Sequence, residues 1–147
     1  MNAYMNKYQH NQIDTASREQ ILIMLYDGAI RFTRQAILAI ESGNQQGKTT
    51  GVEKAMAIVA EFRNTLDHQI GGEIAANLDA LYEFMISSLL QGNLKNDVKP
   101  LQVVDGLLTD LRETWRQAIE IAQKEKQEQK AQGKVANGSY QPLSASL

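Results

Sequence analysis

Residues 101–122 have the sequence LQVVDGLLTDLRETWRQAIEIA, and this stretch decides the fold. Apolar residues recur along it at alternating spacings of three and four, at Leu101, Val104, Leu108, Leu111, Trp115, Ala118 and Ala122. That spacing predicts a helix with one apolar seam, as in bundles whose helices pack nearly parallel or antiparallel. Asp97 precedes the seam as a candidate N-cap, and Pro100 falls in the first turn, where a missing N–H does no harm.

The same periodicity predicts three further helices upstream of this one. The first spans about residues 17–42, with Ser17 as its N-cap and Gly43 as its C-cap. A loop over residues 43–51 leads to a second helix at about residues 52–70. Gly71 and Gly72 are expected to break the chain sharply there. A third helix then follows at about residues 73–91.

Four helices with short connections predict an all-α fold, an antiparallel up-down four-helix bundle. The bundle is expected to occupy residues 15–131. A short polar N-terminal arm, residues 1–14, precedes it, and a disordered tail, residues 132–147, follows it. The helix before this tail is expected to fray, because residues 123–134 carry no apolar stripe.

Composition excludes several functional classes. The chain of 147 residues has no cysteine, a net charge of −2 and a sequence pI near 5.7, so it has neither thiolate chemistry nor a broad basic face for nucleic acid. The N-terminus lacks the apolar core of a signal peptide, and the longest apolar run, residues 21–26, is too short to span a bilayer. We therefore expect a cytoplasmic protein that does not insert into membranes.

Two motifs suggest chemistry but fail on spacing. Residues 43–49, GNQQGKT, are one residue short of a phosphate-binding loop and follow no strand. Neither His10 nor His68 has the glutamate three residues earlier that a di-metal helical bundle requires. We expect no catalytic residue, metal or cofactor. A phosphotransfer role for His68 stays open, since a helical bundle with one exposed histidine is compatible with it.

The first helix has more apolar surface than a bundle helix needs. Its main stripe, assigned to the core, is Ile21, Leu25, Gly28, Phe32 and Ala36. A second stripe lies about 100–150° away around the helix and comprises Ile23, Tyr26, Ile30 and Ile37. This second stripe is expected to face outward, covered either by the N-terminal arm or by a partner protein.

The arm contains Asn2-Ala3-Tyr4, the first helix follows Thr15-Ala16-Ser17, and the last carries Trp115. Together with further segments in the same order, they resemble the flagellar secretion chaperone family, FliS. The resemblance extends over about residues 2–122 and also includes residues 22–32, 66–67, 71–78, 81–85 and 107–118. The family commonly has proline where this chain has Arg18. A proline there would only preorganise a first turn, so we expect no loss of function.

The resemblance implies a cytoplasmic bacterial chaperone without enzymatic activity or cofactor. Such a protein binds the disordered C-terminal segment of flagellin, prevents premature polymerisation and aids delivery to the gate of the flagellar type III export apparatus. Other flagellar proteins are compatible further partners. The alternatives that stay open are a histidine phosphotransfer bundle and a self-associating structural module.

The candidate partner-binding residues come from two sources. The resemblance implies that Tyr4 of the arm regulates the groove. Asp27 and Arg31 are predicted polar anchors at its edge, paired with each other four residues apart. Periodicity adds the apolar candidates Tyr8, Ile23, Tyr26, Ile30 and Ile37.

Overall fold

A computed structural model describes the backbone of residues 3–139 and the side chains of residues 18–133. Over the described backbone the chain forms four helices and no strand, which confirms the all-α prediction. The helices are α1 (Ala3–Glu41), α2 (Gln45–Asn64), α3 (His68–Lys95) and α4 (Val98–Ser139). The chain divides into two compact units, Met1–Arg112 and Glu113–Leu147.

Local side-chain chemistry sets the helix ends. Gly43, at φ 71°, follows the C-terminus of α1 as predicted. Asn44 then caps α2 by accepting a hydrogen bond from the Gly47 N–H at 2.9 Å. Asp67 accepts from the first-turn amides of α3, and Asp97 accepts from the Lys99 N–H at 3.0 Å, which confirms the predicted cap of α4.

Several predicted boundaries are wrong. The helix α1 begins at Ala3, so Ser17 lies within it rather than capping it. The predicted loop over residues 43–51 is mostly helical, because Asn44 supplies an N-cap that starts α2 at Gln45. Likewise α2 ends at Asn64, well before residue 70. At the other end of the chain, α4 stays helical to Ser139 within the predicted tail, and residues 140–147 lie outside the described part.

The expected break at the glycine pair is a kink inside α3. Gly72 has φ 52° and ψ −123°, a conformation that a residue with a side chain rarely adopts. Asp67 caps a short first segment of α3, and the longer segment continues after the non-helical Gly72. The predicted break at the glycine pair is confirmed, but it lies inside α3 and not at the end of the second helix.

Side-chain contacts show the antiparallel up-down order in the first unit. Tyr26 of α1 stacks on Phe62 of α2, whereas Gly51, near the start of α2, lies against Phe32, later in α1. The Arg34–Asp105 ion pair at 3.1 Å and the Arg112–Asp27 ion pair join α1 to α4, again with residue numbers rising on one helix and falling on the other. Neighbouring helices thus run in opposite directions.

The helices α2 and α3 are also antiparallel. Arg63 donates to Asp79 at 2.7 Å near one end of the pair, and Lys48 reaches Asn93 at the other end. The hydrogen bond from Arg63 is the main cause that lowers the pKa of the Asp79 carboxyl. The seam of α4 packs as predicted in this unit, since Leu101, Val104 and Leu108 are fully buried.

Three aromatic rings form the centre of the core. The rings of Tyr26 and Phe62 are stacked with centroids 4.3 Å apart, and Tyr82 of α3 lies 5.6 Å from Phe62. The hydroxyl groups of Tyr26 and Tyr82 are hydrogen bonded to each other at 2.6 Å. This pairing supplies each buried hydroxyl with a partner, which a core position requires of a tyrosine. The cluster joins α1, α2 and α3.

Lys48 is a buried cation that closes the C-terminus of α3. Its Nζ donates to the Asn93 carbonyl oxygen at 2.8 Å and to the Asn96 Oδ1 at 2.6 Å. Asn96 is the left-handed C-cap residue of α3. A positive charge at this position favours the negative end of the helix dipole and satisfies a terminal carbonyl. The lysine of the GNQQGKT motif is thus engaged in a structural contact between α2 and α3.

We expect Lys48→Met to lower the free energy of unfolding by about 1–2 kcal/mol, because the carbonyl of Asn93 loses its donor and the helix dipole its cation. Urea unfolding followed by circular dichroism measures this loss. Lys99→Met, at an exposed lysine whose side chain makes no such contact, is the matched control and should change stability by less than about 0.5 kcal/mol. Equal stability of the two variants would contradict the assigned role.

Candidate partner-binding surface

Two of the predicted partner-binding residues lie in the core. Tyr26 is fully buried and Ile30 is 7% exposed. Their assignment to an outward-facing stripe is wrong, because the inner seam of α1 runs through Tyr26, Ala29, Thr33 and Ala36, all fully buried. Thr33 tolerates this position because its hydroxyl donates to the Ala29 carbonyl oxygen at 2.8 Å.

The remaining apolar candidates are half-buried or lie outside the described side chains. Ile23 and Ile37 are half-buried beside the inner seam. Tyr4 and Tyr8 belong to the first turns of the α1 backbone, but their side chains fall outside the described residues. The prediction that the arm, residues 1–14, covers a binding groove therefore stays a prediction.

The predicted pairing of Asp27 with Arg31 is wrong. Asp27 bonds Arg112 of α4, with a second contact from Arg112 Nη2 to Asp27 Oδ2 at 3.4 Å. Arg31 instead lies over the ring of Phe32, with Cζ 5.0 Å from the ring centroid. Asp27 thus has a structural partner in the bundle, whereas Arg31 is exposed.

An outer stripe runs along α1 on the side next to α2, and all of its members are exposed except Gly28, which is buried. Its members follow at spacings of three and four residues: Ile21, Met24, Gly28, Arg31, Gln35 and Leu38. Three of them are large apolar side chains that are more than half exposed, at 52% for Ile21, 68% for Met24 and 64% for Leu38. The extra apolar surface of the first helix therefore exists, but Met24 and Leu38 belong to neither predicted stripe. Of the three, only Ile21 comes from the stripe assigned to the core, and Ala36 of that stripe is buried as predicted.

Two cations meet one aromatic ring at the middle of the outer stripe. Lys54 of α2 approaches the half-buried ring of Phe32, with Nζ 5.2 Å from the centroid, alongside Arg31. A Cβ added to Gly28 would lie 3.4 Å from Ile58 Cδ1 and 4.0 Å from Arg31 Nη2. Both α1 and α2 therefore contribute to this part of the surface.

An open cavity lies at the Leu38 end of the outer stripe. It has a volume of about 560 Å³ and lies between the end of α1 and the start of α2. Besides Leu38 and Ala39, its lining consists of uncharged polar residues and a glycine, namely Gln35, Ser42, Asn44, Gln46, Gly47 and Thr50. The cavity thus offers an apolar anchor surrounded by neutral hydrogen-bonding groups.

Other large apolar side chains of the first unit are exposed on α3. Ile70 and Ile74 flank the Gly72 kink and are largely exposed, and Phe84 and Leu94 lie further along α3. They are separated by polar or small residues such as Glu73, Asn77 and Ala80. The outer stripe of α1 differs from them because it combines three apolar side chains with two cations and a cavity.

The described residues contain no group of three or more histidine, cysteine, aspartate or glutamate side chains that could hold a metal ion. His68 is the first residue of α3, and its side chain is exposed. Lys48 is buried against Asn93 and Asn96, which excludes it as a phosphate ligand in this arrangement. No helix in the described part of the chain is both long and apolar enough to cross a bilayer.

Sequence reasoning missed Met24, Leu38 and Lys54. A usable signal was present in α1, because its outer stripe includes Arg31 and Gln35, whereas no charged residue occurs in the inner seam. A charged member marks the solvent face of an amphipathic helix. Lys54 has no comparable signal, since only the pairing of α1 with α2 brings it to Phe32.

Comparison with known proteins gives one family. The family model described as "Flagellar protein FliS" matches residues 1–125. The chain is 38% identical over 119 residues to the flagellar secretion chaperone FliS of Bacillus subtilis, covering 81% of this chain and 88% of that protein. It is 39% identical over 116 residues to the FliS of Salmonella typhimurium, covering 78% and 86%. Against the flagellar secretion chaperone FliSB of Pseudomonas aeruginosa, identity is 34% over 115 residues, covering 76% and 91%.

Proposed function

The chain belongs to the FliS family of flagellar secretion chaperones, and we propose that it binds the disordered C-terminal segment of flagellin in the cytoplasm. Binding keeps flagellin from polymerising before export and presents it to the flagellar type III export apparatus, so a component of the export gate is a second partner. The activity is binding, without catalysis, metal or cofactor.

The exposed apolar side chains of the outer stripe are the observation that supports this proposal. Ile21, Met24 and Leu38 each leave more than half of their surface in water. Full burial of such a side chain contributes about 1.5–3 kcal/mol, so covering the exposed halves of several contributes a few kcal/mol to binding. A disordered segment that folds on binding loses ordering entropy and needs a long apolar surface of this kind.

The outer stripe also suits a helical ligand in length. From Ile21 to Leu38 it follows α1 for about 25 Å, at about 1.5 Å per residue. An amphipathic segment that becomes helical would lay its apolar positions along such a groove at spacings of three and four residues. Flagellin bound in this way would have its C-terminal segment covered and unavailable for assembly.

Co-purification with a flagellin C-terminal fragment tests the proposal. We expect a complex of one chain with one fragment, and a gain of helical circular dichroism on mixing beyond the sum of the separate spectra. A fragment with its leucine and isoleucine residues replaced by serine is the control and should not bind. Absence of a complex with the unaltered fragment would reject the proposed function.

Two further measurements address the alternatives. Light scattering of the free protein at several concentrations detects self-association through the exposed apolar residues. Incubation with a small phosphodonor, comparing the unaltered protein with His68→Ala, detects phosphotransfer. We expect a mass that does not depend on concentration and no phosphoryl label that depends on His68. A mass that rises with concentration would favour the self-associating module, and a His68-dependent label would favour phosphotransfer.

A further inference from the structure

We propose that the outer stripe recognises a helix carrying a carboxylate midway between two apolar residues, with the carboxylate bound by Arg31 and Lys54 beside the ring of Phe32. This inference rests on the proposed function, because it describes which feature of the client is recognised. It adds a charge requirement to a surface that would otherwise select only for apolar residues.

The inference rests on which basic residues of the first unit have an acidic partner. Arg34, Arg63 and Arg112 each bond an aspartate of a neighbouring helix. Among the described residues, neither Arg31 nor Lys54 has a carboxylate oxygen within 4.0 Å. The nearest acidic candidate on the same helix, Asp27, is already bonded to Arg112.

Both cations lie at one ring. Arg31 Cζ and Lys54 Nζ are 5.0 and 5.2 Å from the centroid of Phe32. Their separation is therefore at most about 10 Å, about one Debye length at 0.1 M salt, so the two charges repel each other. A carboxylate within reach of both would replace that repulsion with two charge-assisted contacts. The half-buried ring excludes water from one side, which strengthens such contacts. Charge complementarity therefore specifies an acidic ligand.

The position of the cations fixes where the carboxylate must lie in the ligand. Met24 precedes Arg31 by seven residues, and Leu38 follows it by seven. Each interval is two helical turns, about 10 Å along the axis. A helix packed along α1 matches this spacing with apolar, acidic and apolar residues separated by two turns. The occupant is thus an amphipathic helix whose apolar stripe is interrupted at its centre by glutamate or aspartate.

Two synthetic helices test this specificity without relying on flagellin. Both are capped peptides of about 18 residues, long enough to cover the stripe, with leucines two turns on either side of one central glutamate or, in the matched copy, one central glutamine. Fluorescence anisotropy with the full chain measures their affinities. At about 50 mM salt we expect the glutamate peptide to bind about tenfold more tightly, and the preference to fall several-fold at about 500 mM salt.

Charge variants assign the preference to the two cations. Arg31→Glu with Lys54→Glu should abolish or invert the preference for the glutamate peptide, and the milder Arg31→Gln with Lys54→Gln should remove it. Lys99→Glu with Lys124→Glu changes the net charge equally at exposed sites outside the stripe and should retain it. Melting curves verify that each variant is folded.

The outcomes separate this inference from the proposed function. Equal binding of the two peptides to the unaltered protein, or a preference that survives both changes at Arg31 and Lys54, overturns the charge requirement even if flagellin binds. A flagellin fragment that fails to bind rejects the proposed function, while a glutamate preference lost only in the Arg31 and Lys54 variants still supports the carboxylate site.

Discussion

Phe62→Ala should lower the free energy of unfolding by about 3–5 kcal/mol, the range for truncating a buried aromatic residue. Phe62 is 4% exposed and lies between Tyr26 and Tyr82, with centroid distances of 4.3 and 5.6 Å. Truncation removes the ring that connects α1, α2 and α3 and leaves a cavity that the tyrosines cannot fill while their hydroxyls remain bonded. Urea unfolding followed by circular dichroism measures the loss.

Phe84→Ala is the matched control, because it removes the same side chain from a position on α3 that is 51% exposed. We expect it to cost less than about 1 kcal/mol, since little buried surface is lost and alanine favours the helix. Similar losses for the two variants would show that the aromatic cluster is not the centre of the core.

The buried position of Tyr26 explains why the sequence predicts the fold more accurately than it predicts the binding surface. The number of helices and the seam of α4 follow from periodicity, and Leu101, Val104 and Leu108 are buried as that periodicity requires. The helix α1 has apolar residues on two faces, so periodicity alone does not choose between them. The choice depends on Tyr82, 56 positions away, whose hydroxyl pairs with that of Tyr26.

The helix boundaries were harder to predict, because the same local residues can indicate either a loop or a capped helix. The segment 43–51 contains three glycines, which favoured a loop, yet Asn44 caps a helix there. The cap decides because its side chain satisfies an amide of the first turn, which compensates for part of the low helix propensity of Gly47 and Gly51. Glycine in such a segment can provide either chain flexibility or room for close packing, and the sequence alone does not distinguish the two.

Gly51→Ala is expected to distinguish them by experiment, with a loss of about 2–3 kcal/mol in the free energy of unfolding. A Cβ at position 51 would lie 2.8 Å from the Phe32 carbonyl oxygen and 3.1 Å from the Ala36 Cβ, closer than ordinary contact. The first of these neighbours is backbone, so α1 and α2 must separate to admit a methyl group. Separation loosens the contacts between the two helices. The free energy lost in this way exceeds the gain of about 1 kcal/mol that alanine gives a helix.

Gly28→Ala supplies the matched comparison on the facing helix. A Cβ there would meet Ile58 Cδ1 at 3.4 Å, an ordinary contact with the flexible end of a side chain. Stability should be unchanged or higher by up to about 1 kcal/mol, because helix propensity improves without overpacking. Thermal and urea unfolding of both variants measure the difference. If Gly51→Ala proved as stable as Gly28→Ala, the glycine of α2 would serve flexibility alone, and the close approach of α1 and α2 that brings Lys54 to the outer stripe would not depend on it.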